Sequence, residues 1–337
     1  MPPDATTADQ SPAVLSGTGH KPSKGSPFQG LATVALKEAA DHMTSPRMHL
    51  VMLLMVLTAI GAIYAAIGQI KNTVSEDPFL FLNLFTLAKQ PFPSFVALLS
   101  FLLSLVGITL GFDAVNGEYN RRTMSRILSQ PIYRDGLLAG KFLGALLVVA
   151  INLIALFLLV TGMGILMLGL PPSGEEALRG LAFLITCLAY SGVWLAVAML
   201  FSTVFRTPAT SALAALTLWL IFTLFWSMIA PGVASIIAPI DPYNPMTAIH
   251  QAEITQVISR FSPSTLFGEA ATGLLNPATR SLGLVFMSQM QGAIPGAPLP
   301  LDQSLLLAWP ELAGLIAAMV IVYAIAYIAF QRQEIRA

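Results

Sequence analysis

Between Phe112 and Phe142 the chain reads FDAVNGEYNRRTMSRILSQPIYRDGLLAGKF, its most charged stretch, with a long apolar run on either side. Asp113, Glu118, Arg121, Arg122, Arg126, Arg134 and Asp135 crowd carboxylates and guanidiniums into this one connection. The chemistry open to such a set is recognition. It forms charge-assisted hydrogen bonds that fix register on a partner, or it sits on anionic headgroups. Met124, Ile127 and Leu128 fall at i, i+3 and i+4, on one face of a short amphipathic helix, while the arginines lie largely elsewhere. Pro131 ends that helix, because it lacks an N–H and disfavours helical geometry before it. Asp135 then stands near the start of a second helix, where a negative charge suits the dipole. Lipid attraction alone accounts for the arginines. The acids among them, and the breaks at Gly117, Pro131 and Gly136, point to a shaped element.

Other chemistries find no constellation. His20, His42, His49 and His250 are too scattered for a metal-ligand spacing. Cys187 is the single cysteine, which excludes an intrachain disulfide and multi-thiolate metal sites. No Gly-x-x-x-x-Gly-Lys-[Ser/Thr] loop occurs, since Phe142 follows Gly140–Lys141, so the chain carries no such nucleotide cradle of its own. No nucleophile, acid–base pair or ligand set gathers at one depth, which disfavours a membrane-embedded enzyme.

The elements that must hold the charged stretch are apolar. The 337 residues are 55% hydrophobic and 10% charged, too few charges to cover a soluble surface. The apolar residues form runs near the length that crosses a bilayer. Six transmembrane helices are predicted, at about 48–68, 94–112, 141–169, 179–203, 208–230 and 305–330. Period-two alternation, the mark of a barrel, is absent. The fold class is therefore all-α and polytopic. Residues 1–29 are polar and read as a disordered tail without a cleavable signal peptide.

Orientation follows from Lys and Arg in the connections. Twelve of the 17 lie before the first helix, in 113–141, at Arg206 or after the sixth helix. The other five, Lys71, Lys89, Arg179, Arg260 and Arg280, are spread over the opposite side. Both termini and the 113–140 loop are thus expected in the cytoplasm. The net charge is zero, so no global field draws in nucleic acid.

The charged stretch resembles the segment after the second span in ABC-2-type transporter permeases. That pattern falls on Asp113, Glu118, Thr123, Leu128, Ser129, Pro131, Ile132, Arg134, Gly140 and Lys141. One departure is Arg122, where the family usually has a small residue. ALKEAADHMTSPRMHL (35–50) is similar to the family's interfacial N-terminal helix, and LFSTVFRTPATSALAAL (200–216) to its fourth-to-fifth helix link. FSPSTLFGEAATGLL (261–275) resembles the external segment of permeases from nitrous-oxide-reductase maturation and gliding-motility systems, and AYIAFQRQEI the charged exit from helix six.

The resemblance implies a transmembrane domain over 30–337, whose 113–140 loop docks on a separate ATP-hydrolysing subunit. The coupling residues it implies are Asp113, Glu118, Arg121, Arg122, Arg126, Pro131 and Arg134. ATP and magnesium would bind that partner, with no cofactor on this chain. It further implies a plasma (inner) membrane location, export, and a second permease copy forming a homodimer. A membrane scaffold or receptor-like protein without transport activity is the alternative.

The outer side carries a smaller loop, 69–93, read as a cap element, and a larger segment, 231–304. In the latter, TAIHQAEITQVISRF sets Ile249, Ala252, Val257, Ile258 and Phe261 near one face, and Ser262-Pro263-Ser264 begins a second helix. This outer helical hairpin either lies on lipid or caps the bundle and meets cargo or a periplasmic partner. Within the spans, Asn152, Thr161, Thr186, Ser191 and Thr217 serve helix packing more commonly than a path. No Asp, Glu, Lys or Arg is placed clearly at a span centre, which disfavours transport energised by ions.

Overall fold

Backbone amides in hydrocarbon must be satisfied within their own segment, and the apolar runs do so as helices. A computed structural model describes residues 27–72, 79–89, 93–121, 134–169, 171–283 and 298–332. Along the described chain come α1 (Pro27–Met43), α2 (Pro46–Asn72), α3 (Asn83–Thr86), α4 (Phe95–Gly111), α5 (Asn116–Asn120) and α6 (Arg134–Leu168). There follow α7 (Gly174–Val204), α8 (Pro208–Leu220), a π-helical turn (Ile221–Phe225), α9 (Trp226–Ile237), α10 (Pro245–Ser259), α11 (Pro263–Leu275) and α12 (Leu301–Gln331). Among the described residues, six helical stretches are long and apolar enough to cross a membrane: α2, α4, α6, α7, the continuous α8–α9 and α12.

Local chemistry sets the boundaries. The stretch 35–50 is not one helix: α1 ends at Met43 and α2 begins at Pro46. Pro46 cannot continue a helix but suits its first turn. Ser45 Oγ accepts from Met48 N and donates to the His42 carbonyl, so one hydroxyl serves both helix ends. The fourth span starts at Gly174, not Arg179. Ser173 and Glu176 form a capping box there, each side chain bonded to the other's backbone N–H.

α7 is the hub. It packs on α4, α6, α8, α11 and α12, and 78% of its most apolar window is buried, against 11% for α8–α9 and 11% for α12. The α4–α7 seam is close because Gly107 and Gly111, one helical turn apart, leave the backbones bare. A Cβ on Gly107 would stand 2.6 Å from the Ser191 carbonyl oxygen, and one on Gly111 2.8 Å from that of Leu195.

The segment 79–86 before α4 is packed down. Phe85, buried at 2% exposure, meets Phe81, Phe95, Phe157 and Phe183. Arg179, fully buried in the second turn of α7, ties this segment to the one between α9 and α12. Its Nε and Nη2 donate to Glu175 Oε1, Nη1 to Leu274 O and Ser304 Oγ, and Nη2 also to Leu299 O. All five guanidinium donors are thus used, and the group lies 5.6 Å from the Phe79 ring centroid.

The helical hairpin α10–α11 goes deeper than an outer cap. Its elbow reaches Tyr190, near the middle of the 31-residue α7. A file of hydroxyls links Ser104 to Tyr190 (2.7 Å), Tyr190 to Ser264 (3.2 Å) and Ser264 to Thr223 (3.1 Å). Ser262 Oγ donates to the Phe222 carbonyl inside the π turn, and Trp226 Nε1 donates to Ile258 O. A side-chain donor inserted into the ladder accompanies the widened turn. From the elbow α11 climbs back along α12, with Leu266 opposite Gly314 and Gly273 opposite Ala308.

Candidate functional site

At the C-terminal end of α4 the chain turns through 112–115 into the five-residue α5. Val115 N and Asn116 N both donate to Ser202 Oγ, at 3.0 and 3.2 Å, and Asn116 Nδ2 donates to Phe205 O at 3.3 Å. Those acceptors belong to the last turn of α7 and the residue that ends it, so α5 is bolted to the hub helix.

Ion pairs complete the joint. Lys141 Nζ donates to Glu38 Oε1 at 3.0 Å and to Glu118 Oε1 at 3.3 Å. Lys141 therefore joins α6 to α1 and α5, and its side chain is only 6% exposed. Arg47 Nη1 donates to Asp113 Oδ2 at 2.7 Å, and its guanidinium stands 5.3 Å from the Phe112 ring centroid. The approach of α1 to α6 that allows the Lys141–Glu38 bond runs over Gly140 and Gly144. A Cβ on Gly140 would meet Val34 at 2.6 Å, and one on Gly144 the Ala35 carbonyl oxygen at 2.6 Å.

A cleft of about 600 Å³ opens between α1, α2, α5 and α6, with Lys37, His42, Arg47, Asp113, Glu118 and Lys141 on its wall. Burial pushes the His42 imidazole below its ordinary pKa, against the pull of Glu38, Asp113 and Asp41. The bond to Asp41, at 2.8 Å, holds the Lys37 ammonium above its ordinary value. Among the described residues no group of three or more His, Cys, Asp or Glu is placed to hold a metal ion. The arrangement is a set of charge-assisted bonds that fixes four helices around one bend.

Of the residues predicted to contact a partner, Asp113 and Glu118 come together in this network, each paired inside the chain. Arg121 ends α5, exposed, on the rim of the cleft. Arg134 is the first residue of α6. Arg122, Arg126 and Pro131, with the Met124, Ile127 and Leu128 face, lie outside the described residues. The pairings of Lys141 with Glu38 and of Arg47 with Asp113 were not anticipated. They join residues 103 and 66 positions apart, and no local spacing signals them. The available clue was that Glu38, Arg47, Asp113 and Lys141 are charges beside long apolar runs.

The model of the ABC-2 family transporter proteins matches residues 32–335. The chain belongs to the ABC-2 transporter family. It is similar to the probable ABC transporter permease protein NosY of Pseudomonas aeruginosa strain PAO1, at 30% identity over 207 residues, 58% of this chain and 68% of that protein. The protein of the same description from Stutzerimonas stutzeri is 26% identical over 221 residues, 63% of this chain and 72% of that one. This ABC-2 family member is the membrane subunit of an ABC transporter, a multi-pass chain with the bend at α5 joined to its central helix.

Proposed function

We propose that this permease receives work from a separate ATPase subunit seated on the 113–140 bend and converts it into outward movement of cargo. The observation that supports this most is the double anchorage of α5, to α7 through Ser202 and to α6 through Lys141. A push on a bend held this way displaces packed helices as rigid bodies. Arg121, Arg122, Arg126 and Arg134 set the register of the partner, with Pro131 shaping the contact, and ATP and magnesium sit on the ATPase. Asp113 and Glu118 act one step back, stiffening the bend from inside through Arg47 and Lys141. Both termini lie in the cytoplasm and the chain in the inner membrane. Two copies pair as a homodimer, and the outer segment offers its exposed tip to cargo or a periplasmic partner.

The test is Arg126→Glu in the complex with its ATPase. Reversing a rim charge on a docking surface is expected to lower transport and transport-stimulated ATP hydrolysis by about tenfold, the equivalent of about 1.4 kcal/mol. Membrane insertion and the amount of folded permease stay unchanged. Wild-type activity in this variant, or residues 113–140 labelled from outside the cell, refutes the docking assignment.

A further inference from the structure

The elbow of the α10–α11 hairpin carries charge into the bundle. Arg260, at the end of α10, donates from Nε to Glu269 Oε2 on α11 at 2.8 Å and from Nη2 to Glu311 Oε1 on α12 at 3.0 Å. Its Nη2 also donates to the Leu282 carbonyl. Glu311 is the eleventh residue of α12, about 15 Å below the helix's first residue at 1.5 Å per residue. It is 2% exposed, inside an apolar span.

With both carboxyls ionised the trio carries a net charge of −1, which is costly at this depth. Among the described residues, Arg260 is the cation paired with either carboxyl. Arg179 on α7 is bonded at Ser304, two turns nearer the outer end of α12. α6 beyond Lys141 and α7 beyond Arg179 carry no charged residue, and α12 has only Asp302 besides Glu311. α10 adds His250 and Glu253 toward its start, and Arg280 lies beyond α11.

A second, independent observation concerns the other oxygen of Glu311. Oε2 is buried and has no hydrogen-bond partner among the described residues, and the Glu269 carboxyl is held on the same guanidinium as that of Glu311. Two carboxyls that share one guanidinium and leave a buried oxygen over lack one positive charge, and a single proton held by the pair supplies it. That proton neutralises the trio, satisfies the orphaned oxygen and leaves Arg260 to balance the remaining charge.

We propose that Glu269 and Glu311 form a proton-binding site within the membrane domain, and that the bound proton, with Arg260, pins the α10–α11 hairpin to α12. Glu311→Gln mimics the protonated state, because its amide N–H donates where the shared proton did.

The test uses the full chain in lipid nanodiscs. Infrared difference spectra across pH are expected to show a protonated carboxylic acid band that persists at neutral pH and disappears in Glu311→Gln and in Glu269→Gln. Hydrogen exchange of 264–275, taken relative to 96–111 in the same sample, is expected to rise by up to about tenfold per pH unit once the band titrates. In Glu311→Gln that ratio stays flat. Absence of the band at neutral pH in the wild type, or its survival in both variants, overturns the shared proton. A flat exchange ratio in the wild type while the band titrates overturns the pinning. If Glu311→Gln does not fold, Glu269→Gln supplies the same readouts.

Discussion

Replacing Lys141 by Met keeps an unbranched side chain, one atom shorter, and deletes its charge. The ammonium is 6% exposed, and the carboxylates it joins, Glu38 and Glu118, have side chains 12% and 20% exposed. At a charge separation of about 4 Å and an effective dielectric constant of about 20, each pair attracts by about 4 kcal/mol. Desolvating the three groups offsets much of that sum, and removal of one partner from a buried pair costs about 3–5 kcal/mol in practice. Two carboxylates left facing the same hole place Lys141→Met toward the upper part of that range. Chemical denaturation of the full chain in mixed micelles measures it, with limited proteolysis of 27–45 reporting release of α1. The carboxylates supply the control. Adding Glu38→Gln and Glu118→Gln to Lys141→Met is expected to recover most of the loss, because the damage comes from unpaired charge and not from lost packing. A single-variant loss below about 1 kcal/mol refutes the buried-pair reasoning, since that is the range of exposed pairs. So does a triple variant as unstable as the single one.

Three further outcomes follow from the geometry. Arg179→Lys keeps the charge but forfeits the planar fork, so most of its five bonds are lost, with an expected cost of about 3 kcal/mol. Hydrogen exchange should rise at 79–86 and 274–283 before it does elsewhere, and a uniform rise would refute the clamp. Gly107→Ala places a methyl group where the Ser191 carbonyl now lies, forcing α4 from α7 at a cost of about 1–3 kcal/mol. Gly162→Ala, with open space around it, should cost far less in the same thermal-unfolding assay. His42 has a folded pKa below its unfolded value, so between the two the unfolded chain holds more protons and stability rises with pH. Acidification through the ordinary histidine range toward the lowered value should therefore weaken the fold. His42→Gln should remove that slope from a series of denaturation curves, and an unchanged slope assigns it to other groups.

The six crossings were legible because each is an apolar run with charge at its ends, and hydrocarbon leaves such a run no alternative to a helix. Their limits were less so. The fourth span begins five residues before Arg179, at a capping box spelled Ser173-Gly-Glu-Glu176, which is a readable local signal. Arg179 itself looked like a boundary charge, but four acceptors from three segments let it be buried. The depth of the α10–α11 hairpin was not legible. Arg260 and Glu269 look like surface residues until Glu311, far along the chain, joins them in one ion-paired trio. The inner bend was found from its charge density, whereas which acid met which base depended on helix crossings set by Gly140 and Gly144. Spacing along a chain cannot report those crossings.

α7 is held at three heights. Its last turn grips α5 through Ser202, its middle holds the hairpin elbow through Tyr190, and its second turn clamps the outer loops through Arg179. A shaft keyed at three heights cannot turn at one of them alone. Rotation by a few degrees at the Ser202 end would slide Tyr190 past Ser264 and twist the Arg179 fork at the other, so a displacement at either end of this axle is felt along its whole length.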